Sequence, residues 1–250
     1  PDAWAALVKN HGAAAGETLL NRLRDSLNQR GTLDVLRQGI KMLGLRGKLP
    51  LAQFKPALAI NPEIQARYVQ NRLRVLRQVH YSQQNENSID LVLFLNGIPV
   101  ATVELKTDFT QSVKDAIDQY RFDRDPKPKG KPVEPLLAWP SGALVHFAVS
   151  NSDVFMTTRL AGAATTFLPF NKGDHGAAGN PVNVGGGHRT AYLWEEVWQQ
   201  ESWLEILGKY LVAEKDDKRQ LKTYVFPRYH QLDSTRRLQD AVLADGPGKK

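Results

Sequence analysis

Two hydrophobic periods alternate along the chain. Leu7, Val8, Leu19, Leu20, Leu23 and Leu27 recur near helical spacing, so residues 3–30 read as helix with Gly31 as the stop. Leu33, Val35, Leu36, Ile40 and Leu43 predict a second short helix over residues 32–45, before the break from Gly44 to Pro50. From Arg72 the period becomes that of a strand: Leu73, Val75 and Val79 alternate with Arg72, Arg74, Gln78 and His80, giving one basic face. Ile89 to Leu95 is apolar except Asp90, Asn96-Gly97 is a hairpin turn, and Ile98 to Leu105 is apolar except Thr102 and Glu104. Val113, Ala116, Ile117 and Tyr120 then return to helical spacing up to Asp125-Pro126, so the order is strand, strand, helix. Ala143 to Ser150 and Val154 to Arg159 predict two further strands. Residues 171–190 read as loop, Tyr192 to Ala213 as a packed helix or helix pair, and Leu221 opens a last segment with a helix over Asp233 to Leu243.

Three polar residues interrupt the apolar hairpin: Asp90, Glu104 and Lys106. Buried charges are costly without a partner, metal or substrate. Glu104 and Lys106 lie two apart and share a strand face. With a strict two-residue Asn96-Gly97 loop, cross-strand partner numbers sum to an odd value, which puts Asp90 on the face opposite Glu104. A three-residue loop, or one bulge near Pro99, makes the sum even and gathers all three side chains. The sequence therefore predicts an odd loop or a bulge. Asp90 and Glu104 together could hold a hard divalent cation through oxygen, with Lys106 beside it to orient water or stabilise charge on phosphate. The plainer reading is a buried Asp–Lys pair closing a sheet edge.

Composition narrows the classes. The 250 residues are 42% hydrophobic and 24% charged, which suits a globular chain with a sizeable core. Absence of cysteine excludes disulfide scaffolds, Cys-ligated zinc, iron–sulfur clusters and thiol nucleophiles. No apolar run is long enough to span a membrane and no export signal opens the chain, so a cytoplasmic protein without membrane contact is expected. The formal charge of +7 is compatible with a nucleic-acid partner, and Arg67, Arg72, Arg74 and Arg77 could line a phosphate path or simply a solvated face. The six histidines show no His-Glu-x-x-His spacing, and Gly185-Gly186-Gly187 lacks the strand-to-helix context of a dinucleotide site. The start at Pro1 and the end at Gly248-Lys249-Lys250 read as a piece of a longer protein.

The run from Asn87 to Val100, continued by Glu104-Leu105-Lys106, resembles the N-terminal nuclease domain of the R (restriction and motor) subunit of type I restriction enzymes, of the PD-(D/E)xK group. Asp115 to Arg121, Tyr192 to Trp198 and Phe226 to Gln231 carry the same resemblance, which covers residues 55–243. It implies an α/β fold with a mixed central sheet flanked by helices. It further implies metal-binding acids at Asp90 and Glu104, a metal ligand in the Leu105 carbonyl, the motif lysine at Lys106, and Gln119 on the following helix. Asp123 stands where a Tyr often follows that Gln in the group. The expected division is a helical region over residues 1–50, an endonuclease domain over 51–220, and a linker with the start of a helicase-like motor over 221–250. Arg228 and Gln231 resemble the adenine-reading element of such motors, but no Gly-x-x-x-x-Gly-Lys-Ser/Thr loop follows. ATP is thus expected to serve the full-length parent only. The implied activity is Mg²⁺-dependent, Mn²⁺-substitutable hydrolysis of double-stranded DNA without sequence choice, in a complex with modification and specificity subunits. The rival is a non-cleaving DNA-binding or coupling module on the same fold.

Overall fold

The computed structural model describes residues 2–56 and 60–246. The chain opens with helices α1 (Asp2–His11), α2 (Ala15–Arg30) and α3 (Thr32–Gln38), followed by the short strands β1 (Ile40–Lys41) and β2 (Lys48–Leu49) and helix α4 (Pro62–Val69). Strands β3 (Leu73–His80), β4 (Ser88–Leu95) and β5 (Ile98–Leu105) lead into helix α5 (Val113–Phe122). Strands β6 (Val145–Val149), β7 (Val154–Thr157) and β8 (Leu168–Pro169) complete the sheet. Helix α6 (Gln200–Glu205), flanked by π-helical turns, the hairpin β9 (Val212–Lys215) and β10 (Leu221–Val225), and helix α7 (Tyr229–Asp245) finish the chain.

Among the described residues, six strands form one mixed sheet in the order β3-β4-β5-β6-β7-β8, with β5 and β6 parallel and the other neighbours antiparallel. The expected α/β architecture is thus present. Apolar residues with odd numbers on the central strands, among them Leu93, Leu95, Val103, Phe147 and Val149, pack with Trp203, Leu204, Ile206, Leu207 and Phe226. The other face meets α5: Val92 and Phe94 pack with Tyr120, Leu137, Leu160 and Phe167. A sheet buried on both faces explains why β4 and β5 read as nearly continuous apolar runs.

The N-terminal helices have a small cluster of their own, built on Leu7, Ala15, Val35, Ile40 and Met42. They are nonetheless tied to the sheet domain. Thr32 Oγ1 donates to Gly142 O at 2.8 Å, and Arg37 donates to Leu207 O and Leu211 O at 2.6 and 2.7 Å.

Three expected boundaries shift. The helix predicted over residues 32–45 stops at Gln38, because Gly39 turns to φ +64° and the chain then pairs Ile40 with Leu49. The helical stretch predicted to reach Ala213 ends at Tyr210, since Leu211 is extended and Val212 already pairs with Val225. The last helix begins at Tyr229 rather than Asp233. The line drawn between residues 220 and 221 falls inside the β9–β10 hairpin.

Candidate active site

The hairpin β4–β5 turns through Asn96 and Gly97 at φ +51° and +86°, the left-handed pair a two-residue turn requires. Next to the turn, Leu95 pairs with Ile98 and Phe94 with Pro99. Farther along, Leu93 pairs with Ala101, Val92 with Thr102 and Leu91 with Val103. Val100 is the extra residue of a bulge, and its carbonyl accepts the Leu144 N–H at 3.1 Å. Of the two solutions that parity allowed, the chain uses the bulge beside Pro99. With the changed register Leu91 pairs with Val103, which puts Asp90 and Glu104, one residue beyond that pair, on the same face of the sheet.

At this end of the hairpin the strands part. Asp90 replaces a ladder acceptor: its Oδ2 accepts the Leu105 N–H at 2.8 Å. Its Oδ1 accepts from Gln78 Nε2 at 2.9 Å, and Gln78 in turn accepts from Ser88 Oγ at 3.1 Å. Gln78 lies within β3 yet has φ +48°, a conformation few L residues adopt without strain.

Glu104 is fully buried. Its Oε1 accepts from Arg124 Nε at 2.8 Å, whereas Oε2 has no hydrogen-bond partner among the described residues. Burial raises its pKa to about 7; the Arg124 charge opposes that rise and the Asp90 charge adds to it. Arg124 follows the last turn of α5 and also donates from Nη2 to Ser88 O at 2.9 Å. Burial works against the guanidinium charge, but Glu104 outweighs it and the Arg124 pKa is raised. One side chain thus joins the end of α5 to the strands that carry both acids.

Behind Glu104 on the same face, Thr102 Oγ1 hydrogen-bonds Tyr120 Oη at 2.8 Å and His146 Nδ1 at 2.7 Å. Burial drives the His146 pKa down to about 3, so the ring is neutral. Burial likewise raises Tyr120 well above the usual phenol range.

Lys106 lies one residue beyond β5, half-buried, with its backbone N–H donating to Val149 O at 2.8 Å. Its charge contributes to lowering the Asp115 pKa, after the larger effect of the Ser112 hydrogen bonds. Leu105 is 40% exposed and its N–H is engaged by Asp90. Gln119 sits on α5, and its Oε1 is buried with no hydrogen-bond partner among the described residues. The β3–β4 register puts Arg72 and Arg74 on the Asp90 face of the sheet and Arg77 on the opposite face, so the three do not form one stripe. Arg67 lies on α4 within 3.6 Å of Glu63. Gln231 is used locally: its Oε1 accepts the Arg228 N–H at 3.0 Å and caps α7.

The sequence reading missed Arg124, Gln78 and the Thr102–Tyr120–His146 network. A buried Glu on a sheet calls for a nearby cation, and Arg124 at the end of the next helix is one that could have been sought. Nothing in the sequence signals the backbone of Gln78. Among the described residues, no group of three or more His, Cys, Asp or Glu could hold a metal ion. Any cation here would rest on the Asp90–Glu104 pair, backbone oxygen and water. The orphaned, buried Glu104 Oε2 fits that role, since an anionic oxygen without a donor is costly to bury.

A family model described as type I restriction enzyme R protein N terminus matches residues 10–165. The chain belongs to that family. Comparison with curated proteins finds no match. The R-protein span includes every residue of the hairpin site, together with Gln119, Arg124 and His146, while Arg228 and Gln231 lie beyond it. As a type I R-protein N terminus, the chain is a module of restriction enzymes built on the mixed sheet described above. Among its described residues, no helix is long and apolar enough to cross a membrane.

Proposed function

We propose that this module is a metal-dependent DNA endonuclease that hydrolyses phosphodiesters of double-stranded DNA. The observation that carries the reading is the bulge at Val100, which puts Asp90 on the sheet face of a buried Glu104 whose Oε2 has no partner among the described residues. A bound Mg²⁺ would supply Lewis-acid polarisation of the phosphoryl group and a lowered pKa for water. Asp90 and Glu104 would hold it, with the Leu105 carbonyl as a further oxygen ligand. Lys106, two residues along from Glu104, would orient the attacking water and offset charge developing on phosphate. Gln119 would position water or DNA from α5. Arg72 and Arg74, exposed on the Asp90 face, would follow the phosphate backbone, which carries no sequence information. Cutting is accordingly non-specific, with sequence choice in a specificity subunit, methylation in a modification subunit, and ATP consumed by the motor of the parent enzyme.

Manganese-soaked crystals tested by anomalous scattering check the site directly. A peak at roughly 2.0–2.5 Å from Asp90 and Glu104 oxygens is expected; no peak in soaked crystals grown with duplex DNA would remove the metal from the reading. In the assembled restriction enzyme, Lys106→Ala should abolish cleavage while DNA binding and ATPase persist. Equal loss of binding would favour a non-cleaving DNA-binding module.

A further inference from the structure

The Arg124 guanidinium is the positive charge already paired with the buried Glu104. Glu104 has two oxygens and one is taken: Oε1 accepts the Arg124 Nε–H at 2.8 Å, and Oε2 is buried without a donor among the described residues. Arg124 is itself only 6% exposed and is anchored on its other side by Nη2 to Ser88 O at 2.9 Å, two residues before Asp90. This is a built arrangement, since Arg124 is held by two elements and lies within the site's wall. A guanidinium delivers a fixed positive charge and directional N–H bonds to a carboxylate, the electrostatic service that a second divalent ion performs in two-metal nucleases.

We infer that Arg124 replaces a second metal ion, so that the site takes a single divalent cation through Glu104 Oε2 and Asp90. The inference rests on the metal-dependent reading above. Arg124 is a positioning residue: it fixes Glu104 through Oε1, would leave Oε2 to hold the cation, and neutralises part of the acid pair. Bringing two more positive charges beside a buried guanidinium would cost far more than the remaining carboxylate oxygens return, because like charges repel strongly where water is excluded. Because Arg124 also binds the Ser88 carbonyl, it holds the start of β4 and the end of β5 at a set separation.

The test is the number of Mn²⁺ ions bound per chain, counted by electron paramagnetic resonance titration. It is run with and without duplex DNA on Lys106→Ala, which keeps both acids and leaves the DNA uncut. One ion is expected in either condition, lost in Glu104→Gln. Arg124→Lys, which keeps a cation, should stay at one; a folded Arg124→Met should gain a second ion. Two ions with Arg124 intact, or one ion in a folded Arg124→Met, would overturn the inference and leave the metal-dependent reading standing. No Mn²⁺ at all, with DNA present, would bring down that reading and the inference with it. Should Arg124→Met fail to fold, the count with Arg124 intact still decides.

Discussion

Glu104 makes a pH-dependent liability of the metal-free site. Its pKa rises from 4.5 in the open chain to about 7 in the folded protein, mainly through burial, with Arg124 opposing and Asp90 adding to the rise. The native state therefore holds a proton that the unfolded chain gives up between these values. The stability Glu104 contributes is complete below pH 4.5 and is lost as pH rises through about 7. At 1.36 kcal/mol per unit, the loss is about 3 kcal/mol. The perturbation that isolates it is Glu104→Gln, which keeps an acceptor for Arg124 but cannot ionise. Urea unfolding in the presence of a chelator, compared for the two proteins from about pH 4.5 to about pH 8, reads the difference directly. The wild-type advantage over the variant should shrink by about 3 kcal/mol across that range. Only the difference is informative, because His146 titrates in part of the same window with the opposite sign and cancels between the two proteins. A difference that stays constant, or that grows with pH, would show that the Arg124 ion pair outweighs desolvation and would refute the reasoning. Saturating Mn²⁺ should flatten the slope, since the cation selects the ionised carboxylate.

His146, whose pKa falls from 6.5 to about 3, contributes stability that is full above pH 6.5 and lost as pH falls toward about 3. Replacing it with Gln should make acid unfolding less steep by up to about 5 kcal/mol, read from stability against pH relative to wild type. On DNA, Arg72→Ala and Arg74→Ala should each weaken affinity and lower the salt slope by about one, whereas Arg77→Ala on the far face should change neither; fluorescence anisotropy at several salt concentrations decides. Gly31 has φ +79°, and a Cβ there would meet Tyr224 Oη and the Pro140 backbone. Gly31→Ala should therefore destabilise the chain by about 1–3 kcal/mol in a urea melt.

Much of the site was legible because β-structure converts residue number into direction. Asp90 and Glu104 could share a face only with a three-residue loop or a bulge near Pro99, and the chain takes the bulge. A cation for the buried Glu104 could be sought in the sequence, but choosing Arg124, twenty residues away, depends on where α5 crosses the sheet. Helix ends failed for a related reason. Leu43 fits the helical period begun at Leu33, but Gly39 takes a left-handed φ and its neighbours find strand partners, so tertiary pairing overrides local preference. Strand β9 escaped notice because Val212 and Ala213 continue an apolar pattern whose hydrogen-bonding partner, β10, comes later in the chain.

The left-handed Gln78 has a consequence for assembly. β3 is one border of the sheet, eight residues long, and an unbroken border of that length invites another chain to add a strand. Gln78 takes a left-handed φ within the strand, and Arg74 and Arg77 put positive charge on both of its faces. The opposite border, β8, has only two residues and one of them is Pro169. Both margins are thereby poor templates for strand addition, and the residue that donates to Asp90 also helps keep neighbouring molecules from zipping together.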